Sequence, residues 1–119
     1  MPVSAGDCFI LPDMGGQHLC VVLTEFKGDP PAIILVNITS WKPYKDQTVV
    51  INVGDHPFIR AKSVVAYERA AILEEWRIEL LLRMAKMQPS ASADLLNRVK
   101  EGLAASPHVP AKIVEFLES

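Results

Sequence analysis

The chain has 119 residues, of which 50% are hydrophobic and 22% charged, and its formal net charge is -2. This length fits one compact domain, and the composition excludes a disordered chain. The slightly acidic balance also excludes a global basic field that would attract nucleic acid, so any such contact has to be local.

The sequence shows no feature of a membrane or exported protein. No apolar run approaches the roughly 18 residues that a membrane span needs, and the amino terminus lacks the basic-then-apolar layout of a signal peptide. We therefore expect a cytoplasmic protein with no membrane contact. Cys8 and Cys20 lie in separate apolar stretches and are expected to be buried thiols. A disulfide is open if these stretches pair, but the four-ligand spacing of a zinc motif is missing, so we expect no metal site.

The first part of the chain predicts an antiparallel meander of three strands. The apolar runs at 6–12 and 19–23 are separated by a glycine-containing turn that is flexible enough to be a working loop. The third run, at 32–38, is continuous and rich in Ile and Val, and the polar cluster that follows it marks where a buried strand reaches the surface. We expect this strand to present Thr39 and Ser40 at the mouth of a small barrel.

Two more strands are predicted, at 48–53 and 63–67. Between them the segment 56–60 has a proline and no clean period, which indicates an ordered loop. The stretch 70–73 continues the fifth strand or begins a helix. Five short strands at this spacing favour a barrel or a sandwich-like sheet.

From about residue 74 the apolar period becomes helical. Four large apolar residues fall on one predicted helical face: Trp76, Leu80, Met84 and Met87. Leu81 and Leu82 widen the apolar arc, which we expect two later helices to cover. Those helices are predicted at 92–105, with Ser92 as the N-cap, and at 110–117.

Two segments carry a family resemblance: NITS at 37–40 and SVVAYERA at 63–70. The order of elements around them resembles the MazF/PemK-type toxins, which are SH3-like barrels. In that family a strand ends in a Pro-Ile-Thr-Ser-like segment, and a later Ser-Val-Val strand runs into an Asp-Gln-x-Arg-like stretch before the closing helix. The resemblance covers roughly residues 5–88.

This resemblance implies a mainly β protein with α: an SH3-like (MazF/PemK-like) barrel of about five strands. The barrel and its closing helix would span residues 1–88, and a helical extension over 89–119 would pack on the barrel within one compact domain. The resemblance also implies the toxin of a toxin-antitoxin system. Such a toxin is a homodimer that cuts single-stranded RNA without metal or other cofactor and is neutralised by a small antitoxin protein.

That reaction needs a group that takes the proton of a ribose 2′-hydroxyl, an acid for the leaving 5′-oxygen and donors for the phosphate. Thr39 and Ser40 match the hydroxyl positions of the family, although an unassisted hydroxyl is a poor base. Where the family usually places an arginine before its second strand, this chain has GGQH at 15–18. We expect His18 to act there as acid or base.

Without that arginine, the phosphate has to be held by other residues, for which Arg60, Lys42 and Lys45 are the candidate cations. The expected substrate-binding set is Gln17, Trp41, Lys42, His56 and Arg60. For several of the candidate catalytic and binding residues, a purely structural role stays open. Thr39 and Ser40 can bond their own turn, and His56 can form a turn with Asp55 while Phe58 fills the core.

Two other functions stay open. The first is a catalytically inactive MazF/PemK-like module that binds a protein partner through the face of Leu81 and Leu82. The missing arginine and the acidic net charge favour this alternative. The second is a toxin on the same fold that inhibits a large enzyme without cutting RNA.

Overall fold

The structure is a computed structural model that describes residues 2–13 and 16–119, with only the main chain described at 12, 13 and 16. Its elements are, in chain order, β1 (Cys8–Asp13), β2 (Gly16–Val22), β3 (Ala32–Ser40), β4 (Val50–Ile51), β5 (Ser63–Val65), a 3-10 turn (Tyr67–Arg69), β6 (Ala71–Glu74), α1 (Glu75–Leu82), β7 (Lys86–Gln88), α2 (Ala93–Ala105) and α3 (Ala111–Glu118). The loop expected around Gly15 lies outside the described residues.

β3 is the central strand of one antiparallel sheet. One edge of β3 pairs with β2, from Leu19↔Ile38 to Val22↔Leu35. The other edge is shared, because β6 pairs with its first half and β5 with its carboxyl end. β1 pairs with β2 and β7, so the described strands run in the order β4-β5-β3-β2-β1-β7, with β6 beside β3. The predicted meander of β1, β2 and β3 is confirmed.

Both faces of β3 are buried, which explains its continuous apolar run. Ile34 and Val36 pack in a first core cluster with residues of α2 and α3. Ile33 and Leu35 pack in a second cluster with Ile78 of α1. A strand that is covered on one face only would alternate apolar and polar residues. The sheet is therefore the middle layer between α1 on one side and the two carboxy-terminal helices on the other.

α2 forms where it was predicted. The Ser92 side chain accepts a hydrogen bond from the main-chain nitrogen of Leu95 at 3.1 Å and so caps the helix. Val99 lies one turn further on the same buried face, and its carbonyl accepts a hydrogen bond of 2.6 Å from the buried Tyr67 hydroxyl. Burial in this contact raises the pKa of the Tyr67 hydroxyl above its ordinary value. α2 is thereby fixed against the 3-10 turn.

The predicted burial of one face of the first helix is wrong. Trp76, Leu80, Met84 and Met87 are 58%, 48%, 68% and 53% exposed, and the buried residue of α1 is Ile78. α1 ends at Leu82, so Met84 follows the helix and Met87 lies in β7, where a helical period no longer applies. Leu81 and Leu82 pack on the second core cluster. They are covered by the sheet, whereas α2 and α3 pack on the first cluster.

The cysteines are buried and unbridged, as expected. The strands that carry them do pair, but Cys20 lies opposite Phe9 in the ladder rather than opposite Cys8. Cys8 belongs to the first core cluster and Cys20 to the second, so the sheet lies between the two thiols. Burial raises the pKa of the Cys8 thiol to about 11.

The fold class is confirmed at the level of a small, mixed α/β protein with an antiparallel sheet and three helices in the described residues. The ambiguous stretch 70–73 is mostly strand β6, and β7 was not predicted. The strand predicted at 48–53 is reduced to Val50–Ile51. None of the described helices is long and apolar enough to cross a membrane.

The contact between α2 and Tyr67 gives a test of the packing. A Cβ atom at residue 102 would overlap the Tyr67 hydroxyl oxygen and the Val49 side chain. In an exposed helix, Gly→Ala stabilises by about 1 kcal/mol. Here we expect Gly102→Ala to lower the free energy of unfolding by about 1–3 kcal/mol because the core is overpacked. Urea denaturation measures the sign, and a stabilised Gly102→Ala variant would contradict the packing described.

Candidate functional site

The ends of β2 and β3 place the predicted site residues on two different faces of the sheet. Side chains alternate between faces along a strand. Leu19 and Ile38 belong to the first core cluster, and Cys20 belongs to the second. His18 and Thr39 therefore lie on the face of the second cluster. Their chain neighbours Gln17 and Ser40 lie on the face of the first.

On the second face, His18 lines a cavity of about 290 Å³. Asn37 and Arg69 line it as well, and its apolar walls include Leu35 and Leu81. We call this space the His18 cavity. Its lining combines the half-buried His18 and Asn37 and the exposed Arg69 with apolar residues. The arrangement can transfer a proton and bind an anion in one place.

Arg69 was not among the predicted site residues. It reaches the cavity because the main-chain nitrogen of Ala66 donates to the Asn37 carbonyl at 2.9 Å, which sets the 3-10 turn beside β3. The buried Tyr67 then fixes that turn from inside. The sequence does carry a signal, since Arg69 is the arginine of SVVAYERA and occupies the place of the Asp-Gln-x-Arg-like stretch.

Thr39 is held by a lysine. The Lys45 ammonium donates to the Thr39 hydroxyl oxygen at 2.9 Å and to the Ser40 carbonyl at 3.0 Å. The hydroxyl of Thr39 therefore has its acceptor side occupied by a cation, and its own proton can be donated onward. This contact differs from the alternative in which Thr39 bonds its own turn.

A second cavity of about 340 Å³ lies next to Lys45. Its lining residues all carry a polar or titratable group: Tyr44, Lys45, Asp46, Glu68, Arg69 and His108. We call it the Tyr44 cavity. Arg69 lines both this cavity and the His18 cavity. The two spaces therefore adjoin each other at Arg69.

Asp46 anchors the loop that carries Tyr44 and Lys45. Its carboxylate accepts hydrogen bonds from the main-chain nitrogen of Thr48 at 2.8 Å, from the Thr48 hydroxyl and from the Ser106 hydroxyl at the end of α2. Burial alone would raise the pKa of Asp46, but the hydrogen bonds from Ser106 and Thr48 favour the charged form more strongly and lower the pKa.

Gln17, Ser40 and Arg60 come together in a third place. They line a separate cavity with Phe58 and Ser63 at the end of the first face. Arg60 is exposed there. The structure thus groups three of the predicted substrate-binding and catalytic residues, but apart from His18.

Trp41 and Lys42 form part of a closed loop. The Trp41 ring nitrogen donates to the Gln47 side-chain oxygen at 2.7 Å, and the Lys62 ammonium lies 4.5 Å from the centre of the Trp41 ring. The Lys42 carbonyl accepts from the Gln47 side chain, and the Lys42 side chain is exposed. One face of Trp41 is therefore already occupied by a cation, whereas Tyr44 is 80% exposed.

His56 is buried, and both of its ring nitrogens contact main-chain groups. The side chain is 2% exposed, its Nδ1 accepts from the main-chain nitrogen of Phe58 at 3.0 Å, and its Nε2 lies 2.6 Å from the Pro89 carbonyl. Because Nδ1 accepts, Nε2 carries the proton and donates to Pro89. Asp55 closes the same turn by accepting from the Asn52 nitrogen at 2.7 Å. Phe58 packs on the first core cluster, as the structural alternative for this loop requires.

The sequence matches no model of a known protein family, and no characterised protein was found to be similar to it. In the part of the chain that the structure describes, no group of three or more His, Cys, Asp or Glu side chains is placed to hold a metal ion. The function is therefore inferred from the two adjoining cavities and the residues between them.

Asp46 anchors the loop that carries Tyr44 and Lys45, which we call the Lys45 loop. Because the anchor is a carboxylate, we expect the stability of the protein to depend on pH. The pKa of Asp46 is lower in the folded protein than in the unfolded chain. The charged carboxylate therefore contributes fully to the free energy of unfolding above the unfolded-state pKa of about 3.9, and this contribution is lost as the pH falls through the folded-state pKa. We expect Asp46→Asn to lower the free energy of unfolding by about 1–2 kcal/mol at pH 7. The difference from the wild type should shrink below about pH 4.

Urea denaturation at several pH values measures this difference. Glu115→Gln, which removes an exposed carboxylate on α3, is the matched control and is expected to change stability little. A difference between wild type and Asp46→Asn that does not vary with pH would contradict the anchoring role of the charged form.

Proposed function

We propose that the chain is a toxin-like component of a toxin-antitoxin system, an endoribonuclease that cuts single-stranded RNA without a metal ion. The observation that supports this most directly is the His18 cavity, where His18 and Arg69 line one space with Asn37 between apolar walls. An imidazole for proton transfer and a guanidinium for the phosphate are two of the groups that RNA cleavage by a 2′-hydroxyl needs. The acidic net charge does not oppose this, because the cations are local.

The proposal includes the MazF/PemK-type SH3-like barrel. Its support is the position of the two segments on which the resemblance depends. NITS ends β3, and SVVAYERA begins with β5 and runs through the 3-10 turn. These segments are direct neighbours in the sheet, with Thr39 opposite Val64 and Ser40 opposite Ser63. The two motifs therefore form one local unit, although they are separated in sequence.

The reaction can be written with the residues of this cavity. His18 accepts the proton of the ribose 2′-hydroxyl, and the 2′-oxygen attacks the adjacent phosphorus. The bond from phosphorus to the 5′-oxygen breaks, and the protonated imidazole returns its proton to that oxygen. The products are a 2′,3′-cyclic phosphate and a free 5′-hydroxyl. Arg69 binds the non-bridging phosphate oxygens, on which negative charge develops.

Purified protein should cut single-stranded RNA in the presence of a chelator and leave 2′,3′-cyclic phosphate ends. We expect His18→Ala to lower kcat/KM about 10²–10⁴-fold because a general acid–base group is removed. His108→Ala should reduce it far less, and Lys100→Ala, which removes an exposed cation on α2, should leave it unchanged. RNA that stays intact over long incubation with the folded wild type would sink the proposal.

Arg69 supplies a second test with a matched control. Removing one preorganised donor for developing charge costs about 10²–10³ in rate, so we expect Arg69→Ala to lower kcat by this order. Arg77→Ala removes another exposed arginine, on α1, and should cut RNA at the wild-type rate. Equal rates for Arg69→Ala and Arg77→Ala would exclude Arg69 from the reaction. Circular dichroism of each variant shows whether the fold is kept.

A second candidate is a non-catalytic interaction module. The observation that favours this module is a set of exposed apolar residues on α1 and in the segment that follows α1. This set does not include Leu81 and Leu82, which were predicted to form the binding face. Its members are Trp76, Leu80, Met84 and Met87. Surfaces of this kind are typical of protein contacts, and the homodimer and the antitoxin that the resemblance implies would also need such a surface. Growth arrest by the wild-type chain that is relieved by His18→Ala would count against a module without chemistry.

A further inference from the structure

We propose that the Tyr44 cavity is a nucleotide subsite beside the His18 cavity, where the Tyr44 ring stacks on one base of single-stranded RNA and the cations next to it hold a phosphate. The inference rests on the proposed function, from which it takes single-stranded RNA as the ligand. It assigns two residues that the cleavage chemistry does not use, Tyr44 and His108.

The first observation is the exposure of Tyr44. Its side chain is 80% exposed, although an aromatic ring of this size usually buries much of its apolar surface. The ring sits at the rim of a cavity whose other lining residues are charged or polar. Aromatic rings beside cations are the platforms on which proteins stack the bases of single strands. The other rim aromatic, Trp41, already has one face of its ring occupied by Lys62.

The second observation is the balance of charge in the cavity. Its permanent cations are Lys45, which is held by Thr39 and Ser40, and the exposed Arg69, and the imidazole of His108 adds a further donor. Of the two carboxylates, Asp46 already accepts hydrogen bonds from Thr48 and Ser106, so its charge is partly compensated. Glu68 remains as an acceptor for the amino group of a base. A base and its phosphate together match this set better than a simple anion does.

The third observation is the connection between the two cavities. Arg69 lines both of them, and Lys45, which lines the Tyr44 cavity, also binds the Thr39 hydroxyl. A ligand that fills both spaces passes Arg69, where an anionic group can pair with the guanidinium. A nucleic acid strand has this form, because it repeats base, sugar and phosphate. The cavity volume of about 340 Å³ lies within the range of about 300–1,000 Å³ for small-molecule sites.

His108 is held in this place by the carboxy-terminal helices. Its main-chain nitrogen donates to the Ser106 hydroxyl oxygen at 3.1 Å, and the same hydroxyl donates to Asp46 in the Lys45 loop. The segment between α2 and α3 is therefore fixed to the loop that carries Tyr44. The sequence alone indicated only a helix boundary at His108. The fold brings it to Arg69 from a distant part of the chain.

Binding can be measured without cleavage. Short fluorescein-labelled 2′-O-methyl oligoribonucleotides of mixed sequence lack the 2′-hydroxyl that the reaction needs, and fluorescence anisotropy gives their Kd. We expect Tyr44→Ala to raise Kd about tenfold, and Tyr44→Phe to keep the wild-type Kd because the ring is kept. His108→Ala should raise Kd about threefold through the loss of one polar phosphate contact. Lys100→Ala should not change it.

The salt dependence of Kd separates stacking from charge. For single strands, each neutralised phosphate contributes about 0.7 to the slope of log K against log salt. Arg69→Ala should therefore lower the slope by about 0.7, while Tyr44→Ala should leave it unchanged. Because Tyr44 is at the surface, its truncation should hardly affect folding, and thermal unfolding of each variant confirms this.

The outcomes distinguish this inference from the proposed function. If RNA stays intact but Tyr44→Ala weakens oligonucleotide binding and Tyr44→Phe does not, the subsite stands and cleavage is wrong. If RNA is cut but neither Tyr44→Ala nor His108→Ala changes Kd, cleavage stands and the subsite is wrong. A wild-type protein that binds no oligonucleotide would overturn the subsite and leave the surface to a protein ligand.

Discussion

The burial of β3 on both faces is the constraint on which the rest of the structure depends. Along its first half no polar side chain can be accommodated, since either face leads into a core cluster. Polar groups can appear only where the strand leaves the core, at Asn37 and beyond. The neighbouring strands β2 and β5 reach the same end of the sheet. The His18 cavity and the Tyr44 cavity both lie beside this end of β3.

A second contact positions the 3-10 turn that carries Arg69 beside this end of β3. The Tyr67 hydroxyl bonds the Val99 carbonyl inside the protein, and the absence of a side chain at Gly102 permits this approach. The 3-10 turn is held from its buried side, and Arg69 at the end of the turn lines both cavities. The buried Tyr67 thus fixes the turn that places Arg69 at the same cavity as His18.

The sequence predicted those features that depend on local pattern. The continuous run of β3, the polar end of that strand at NITS and the capped helix after Ser92 all follow from short segments. The division of Gln17 from His18, and of Thr39 from Ser40, follows from strand alternation once the pairing is known. The grouping of Arg69 with His18 depends on contacts between distant segments. The buried face of α1 was missed because the helix ends after Leu82, and two turns define a period poorly.

The bond between Ser106 and Asp46 couples the carboxy-terminal helices to the Lys45 loop energetically. The carboxy-terminal helices and the Lys45 loop share this contact, so docking of the helices and ordering of the loop are linked equilibria. A ligand that binds only the ordered loop also favours the docked helices, and by reciprocity the coupling free energy is the same in both directions. Conversely, a molecule that draws the helices away would weaken ligand binding from a distance. The helical extension thereby acts as a thermodynamic partner of the site.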